Sequence, residues 1–254
     1  MPTIKEKLYF NYNGKSCRDF GLVHVSLDSG MYEETLSASR TINETTVRGS
    51  DTPLFHSIDE DTLEFPLTIA FEKDFDEKTI NDVVLWLFQD YYKPLYFEGL
   101  EDRVYYCMPN GDSSLMHNGL SQGYVTLTMK CNSSKISSGM KQTEKYVVEG
   151  SKTIALKNNG HVEVFPEISI KKIGAGSVTI ERDGDIFEVR ELTNAEDIYV
   201  NTEKEIIETD IIGMYRYDNV IGEYYNASLK VGSNNIKITG NCEVIFRYFE
   251  KYRF

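Results

Sequence analysis

Residues 123–131, GYVTLTMKC, alternate without a break: Val125, Leu127, Met129 and Cys131 fall on one side of an extended chain, and Tyr124, Thr126, Thr128 and Lys130 on the other. Period two over this length marks a strand with one face packed and the other wetter. Residues 62–71 repeat the pattern, with Leu63, Phe65, Leu67, Ile69 and Phe71 sharing a face. Pro66 points to an edge or a bulge there, and an edge strand with an apolar face needs a neighbour. Residues 20–27, 95–97 and 103–108 read as further strands, while residues 7–12 lead into Asn13-Gly14, a pair suited to a tight hairpin turn.

One segment departs from this rhythm. Ile80, Val83, Val84, Leu87, Phe88 and Tyr91 recur at helical spacing, widened by Leu85 and Trp86. With Asp74 or Asp76 as N-cap and Pro94 as the stop, the spacing predicts a helix over about 77–91 whose stripe packs on a sheet. Directly after the 123–131 strand comes NSSKISSG, residues 132–139, a polar connection. It divides the chain into domains 1–135 and 136–254. The second half reads as short strands at 146–148, 153–156, 167–172, 177–181, 186–189, 197–200, 227–230, 235–238 and 243–249. Turn signals at Asn159-Gly160, Asp183-Gly184 and Gly240-Asn241 give the spacing of an antiparallel sandwich. The fold class expected is therefore mainly β, with one α-helix in the N-terminal domain.

Composition agrees and narrows the function. The chain has 254 residues, 17 Tyr and 13 Phe but 6 Pro, which favours pleated surfaces. Lys and Arg total 27 against 40 Asp and Glu, a formal charge of −13 concentrated in the N-terminal half. Specific nucleic-acid binding through phosphates needs the opposite sign. No apolar run is long enough for membrane insertion and the start lacks a signal-type apolar core, so synthesis in a cytoplasm is expected. Cys17, Cys107, Cys131 and Cys242 show no paired short spacing and read as reduced packing residues.

The search for chemistry returns little. His24, His56, His117 and His161 are scattered outside any metal-ligand pattern, and Gly174-Ala-Gly176 precedes a strand where a phosphate loop needs a helix, so it reads as a hairpin turn. The carboxylate runs 59–61 and 74–77 lack calcium-loop spacing and read as solvated loops. No catalytic residue, cofactor site or metal site is assigned. The pairs Tyr91-Tyr92, Tyr105-Tyr106 and Tyr224-Tyr225 fit either core packing or an aromatic contact surface for sugar or protein.

The order of segments does resemble a known family. The opening FNYNGKS (10–16) and DFGL (19–22), a loop at Val47, Arg48, Gly49, Ser50 and Asp51, then Phe71, the helix with Trp86-Leu87 and the strand 95–97 resemble the N-terminal domain of siphophage distal tail proteins, the tail-tip hubs of phages of Gram-positive bacteria. KNNG (157–160), FPEISI (165–170) and ITGNCEVIFR (238–247) extend the resemblance over nearly the whole chain. It implies an N-terminal β-sandwich that closes a hexameric ring, single or stacked, around a channel, and a peripheral C-terminal galectin-like β-sandwich. The implied protein is a structural, non-enzymatic part of the virion tail tip. Its implied partners are the tail tube protein on one face, the tail-associated fibre or lysin protein on the other, and receptor-binding proteins at the periphery. Residues 47–51 then become the candidate ring or partner interface, and an acidic channel wall lets DNA pass without adhering. A carbohydrate-binding module, or a sugar-active sandwich protein, stands as the alternative.

Overall fold

The computed structural model describes residues 4–27, 34–119 and 121–253, and it is mainly β, as expected. The chain divides into two compact units, Met1–Ser137 with Arg253–Phe254, and Ser138–Tyr252. The first contains β1 (Phe10–Tyr12), β2 (Lys15–Ser16), β3 (Leu22–His24), β4 (Arg40–Thr45), β5 (Leu54–Glu60), β6 (Glu64–Phe71), α1 (Glu77–Leu87), β7 (Lys93–Phe97), β8 (Tyr105–His117), β9 (Gly123–Cys131) and the short β10 (Ile136–Ser137), which bridges to Val104.

Seven of these strands form one antiparallel sheet in the order β2-β1-β7-β8-β9-β6-β3. Alternation decides which side chains are buried: Phe65, Leu67, Ile69, Leu127, Met129 and Cys131 all point into the core. Asn13 and Gly14 both adopt positive φ, which sets the β1–β2 turn. The far edge then returns to the start of the chain. In β3, the His24 N–H donates to the Leu8 carbonyl at 2.7 Å and its ring Nδ1 lies 2.7 Å from the Lys7 carbonyl oxygen. Burial pushes the His24 pKa down, so the ring is held neutral as part of this closure.

Two readings are corrected here. Strand β6 is not an edge along its whole length, since β9 pairs along Glu64 to Ala70 and β3 covers the other side from Ile69 to Phe71. Pro66 lies before the stretch that β3 covers, where its missing N–H leaves no ladder bond unmade. The helix stops at Leu87 rather than near 91, because the Gln89 side chain donates to the Leu85 and Trp86 carbonyls and the following residues are needed to reach β7. Its packed residues are Val83, Trp86 and Leu87, whereas Val84, Phe88 and Tyr91 are exposed. Asp76 is the N-cap, accepting from the Thr79 N–H at 2.8 Å.

The second unit holds β11 (Lys141–Gln142), β12 (Tyr146–Val148), β13 (Ser151–Asn158), β14 (Glu167–Lys172), β15 (Gly176–Arg182), β16 (Asp185–Leu192), β17 (Asp197–Asn201), β18 (Ile206–Thr209), β19 (Val220–Ile221), β20 (Gly232–Thr239) and β21 (Cys242–Tyr248). Strands β11-β21-β14-β17-β18, with β12 beside β21, make one sheet, and β13-β20-β15-β16-β19 the other. Ile168, Ile170, Val200, Val244 and Phe246 from the first meet Ile180, Phe187, Val189, Ile236 and Ile238 from the second in one core. Asp183-Gly184 is the expected hairpin turn, both residues at positive φ. Gly174-Ala-Gly176 is not a hairpin turn, because β14 and β15 belong to different sheets and the segment passes between them. Residues 227–230 are not a strand either: a 3-10 turn ends at Ala227 and only Leu229 makes a bridge, to Val164.

Candidate assembly interface

The loop at 47–51 is the tip of a hairpin that the sequence reading left unassigned. Strands β4 and β5 pair with each other and with nothing else among the described residues. Ser50 N–H closes a turn onto the Val47 carbonyl at 3.1 Å, with Gly49 at a φ of 88° that glycine alone takes freely. The Ser50 hydroxyl donates to the Thr52 carbonyl at 2.8 Å and fixes the return. Val47, Arg48, Gly49, Ser50 and Asp51 are thereby brought together and all are exposed.

Register separates the ribbon into two unlike faces. On one, Asn43 Nδ2 donates to Ser57 Oγ at 3.0 Å and to Asp59 Oδ2 at 2.7 Å. On the other, Ile42 sits directly opposite Ile58, and Phe55 follows opposite Glu44 after a bulge. Ile42 is 60% exposed and Phe55 58%, so this apolar face is left largely bare among the described residues. A two-stranded ribbon with no third strand is marginal in water. Glu60 anchors its root: Lys135 Nζ makes a close ion pair with Glu60, Ser134 Oγ donates to it at 3.1 Å, and Arg40 Nε lies 3.4 Å away. The Lys135 bond, foremost among these, holds the Glu60 carboxyl below the usual range.

Asp76 and the histidines singled out by sequence have local partners. Asp76 caps α1 and its Thr79 hydrogen bonds lower its pKa. Thr45 Oγ1 lies 2.8 Å from His56 Nε2, the Gly119 N–H donates to His117 Nδ1 at 3.1 Å, and the His161 ring meets Tyr252 edge-on. Among the described residues no three His, Cys, Asp or Glu side chains are grouped for a metal ion, and no helix is long and apolar enough to cross a membrane. Tyr105 is buried, while Tyr91 and Tyr225 are exposed. The second unit carries a groove of about 500 Å³ on the outer face of its larger sheet, where Tyr199 lies between Ser169 and Glu208 in one cross-strand row.

Comparisons with known proteins bear on the family and the fold. A family model described as the phage tail protein N-terminal domain matches residues 5–133. The chain is 35% identical to the SPbeta prophage-derived protein YomH of Bacillus subtilis (strain 168), across 98% of this chain and 99% of that one. Among solved structures it is similar to SPP1 Dit (gp 19.1), described as a paradigm of the hub adsorption apparatus in phages infecting Gram-positive bacteria. That match has a TM-score of 0.70 and 19% identity, covering 96% of this chain and 98% of that one. A chain of the phage P2 baseplate in its activated conformation with Ca follows, with a TM-score of 0.50 and 9% identity over 95% and 97% of the two chains. At these identities the structural likeness establishes the fold.

Proposed function

The chain belongs to the phage tail protein family defined by that N-terminal domain, and on this premise we propose that it is the structural hub of a phage tail tip. Six copies close a ring through their N-terminal units, one side receiving the tail tube and the other the tail-associated fibre or lysin protein, with receptor-binding proteins at the periphery. The observation that carries the ring is the β4–β5 ribbon. A rooted arm whose Ile42, Phe55 and Ile58 face is bare in the single chain suits a contact with the next copy, and repetition of one such heterologous contact closes a rotation. Residues 47–51 at its tip lie in that contact. The net charge of −13 per copy favours a channel that repels DNA.

Light scattering of the purified chain tests this, with a mass near six times 29.1 kDa, or a multiple, as the expected result. The triple variant Ile42→Ser, Phe55→Ser, Ile58→Ser is expected to stay monomeric and to melt where the parent monomer does. A parent chain that stays monomeric at every concentration, or a triple variant that assembles equally well, overturns the ribbon-mediated ring.

The groove beside Tyr199 favours a second reading, a saccharide-binding surface, since one ring flanked by hydroxyl and carboxylate groups is the chemistry such ligands use. Saturable binding of the full chain to host cell wall, competed by free sugar and lost in Tyr199→Ala, would establish it.

A further inference from the structure

Cys107 and Cys131 are 24 residues apart in sequence, yet β8 and β9 place them directly opposite each other. The ladder defines the kind of site they occupy. Asn132 N–H donates to the Tyr106 carbonyl at 2.9 Å, so that pair spends its hydrogen bonds between β8 and β9. Cys131 N–H turns the other way and donates to Leu63 at 2.8 Å. Cys107 and Cys131 are therefore a non-hydrogen-bonded pair, the site in an antiparallel ladder where opposing Cα atoms approach to about 4.5 Å and side chains lie closest. That separation falls inside the range that disulfides span, about 4.4–6.8 Å. Both side chains point into the core, at 0% and 2% exposure, and burial together with the neighbouring Cys131 side chain pushes the Cys107 thiol pKa up. The remaining cysteines are placed differently: Cys17 accepts a hydrogen bond from the Phe10 N–H at 3.4 Å, and Cys242 lies in the other unit.

We propose that Cys107 and Cys131 are a latent cross-strand disulfide, reduced when the chain is made and closed by a small-molecule disulfide once it meets an oxidising medium. The exchange balances without any other reagent. The thiolate of Cys131, at the end of β9, attacks one sulfur of the oxidant, the oxidant's S–S bond breaks, and its first thiolate leaves. The thiolate of Cys107 then attacks the Cys131 sulfur of the mixed disulfide and expels the second. Two protein thiols lose two electrons and two protons, and the small disulfide becomes two thiols. Both thiols are buried and burial disfavours the Cys107 thiolate, so the reaction runs through transient opening of the β8–β9 ladder and is slow. Once closed, the bond constrains the unfolded chain between β8 and β9 and raises the stability of the first unit. Its formation does not depend on the assembly reading; its use in a released particle does.

The test uses the full chain, purified with reductant and incubated folded with oxidised glutathione, then denatured and alkylated. The expected result is the loss of two of the four thiols, one linked peptide pair containing Cys107 and Cys131, and free Cys17 and Cys242. The unfolding midpoint reported by Trp86 fluorescence is expected to rise and to return on adding reductant. A Cys17→Ala variant is expected to oxidise identically, and a Cys131→Val variant to show no reductant-dependent shift. Four alkylated thiols after oxidation under partially opening urea, a link involving Cys17, or a midpoint unchanged by the bond overturns the proposal.

Discussion

Arg216 and Glu196 form a two-point ion pair sealed from solvent: Nε to Oε1 at 2.8 Å and Nη2 to Oε2 at 2.7 Å, with both side chains buried. The carboxylate also accepts from Thr193 N–H and the Thr209 hydroxyl, so the segment after β18 is tied to the loop before β17. Burial opposes the charge on Glu196, and the Arg216, Thr193 and Thr209 bonds outweigh it, leaving its pKa lowered. Removing one partner strands the other charge in the core. Glu196→Leu is expected to destabilise the second unit by about 3–5 kcal/mol, and the double variant Glu196→Leu, Arg216→Met by much less. Urea unfolding followed by circular dichroism measures both.

Acid should weaken the second unit through Glu250. Burial raises the pKa of this carboxyl, but Lys141 at 2.7 Å, the Tyr252 hydroxyl at 2.7 Å and the Asn159 N–H at 2.8 Å outweigh burial and bring it to about 2. An unfolded glutamate titrates near 4.3, so the unfolded state binds the proton first as pH falls. The stabilisation, about 3 kcal/mol, is complete above that value and is lost between roughly pH 5 and pH 2. Glu250→Gln is expected to flatten this part of a thermal-midpoint-versus-pH curve, and an equally steep curve in the variant would refute the assignment.

Trp86 reports on the first unit alone, since it is the only tryptophan. Its Nε1–H donates to the Tyr12 carbonyl at 2.8 Å, and its ring stacks on Phe20 with centroids 4.4 Å apart and on Phe10 at 5.8 Å. Trp86→Phe is expected to cost about 1–2 kcal/mol for the lost hydrogen bond, and Trp86→Ala about 3–5 kcal/mol for the cavity. Hydrogen exchange of the β1 and α1 amides gives the readout in the absence of the indole.

The cap of α1 separates two neighbouring aspartates that look alike in sequence. Asp76→Ala is expected to lower stability by about 1 kcal/mol, because Thr79 loses both its N–H and its hydroxyl partner. Asp74→Asn is expected to change it by less than about 0.5 kcal/mol, as for ordinary surface positions. Comparable losses in both variants would mean that the cap is misassigned.

Strand β9 was readable residue for residue because one of its faces is packed, and burial on one side is what imposes period two on a sequence. The β4–β5 ribbon was not readable, for the same reason reversed. With both faces in water, nothing forces alternation, and residues 40–45 and 54–60 look like loop on either side of a Val47–Asp51 turn. The helix shows the other limit. Apolar spacing continues to Tyr91, but the end at Leu87 is set by Gln89 capping two carbonyls and by the distance the chain must cover to pair β7 with β1 and β8.

The mainly β class, the Asn13-Gly14 and Asp183-Gly184 turns and an aspartate cap at Asp74 or Asp76 were legible along the chain, since each depends on residues within a few positions of one another, and the family resemblance was legible in the order of such short segments. Which strands share a sheet, which aspartate or cysteine finds a partner, and which apolar residues remain bare were decided by the folded structure. His24 meeting Lys7 and Leu8, Cys107 facing Cys131 and Arg216 reaching Glu196 are contacts between segments far apart in sequence. Closing those loops costs entropy that only the simultaneous packing of the whole unit offsets, so no local pattern records them.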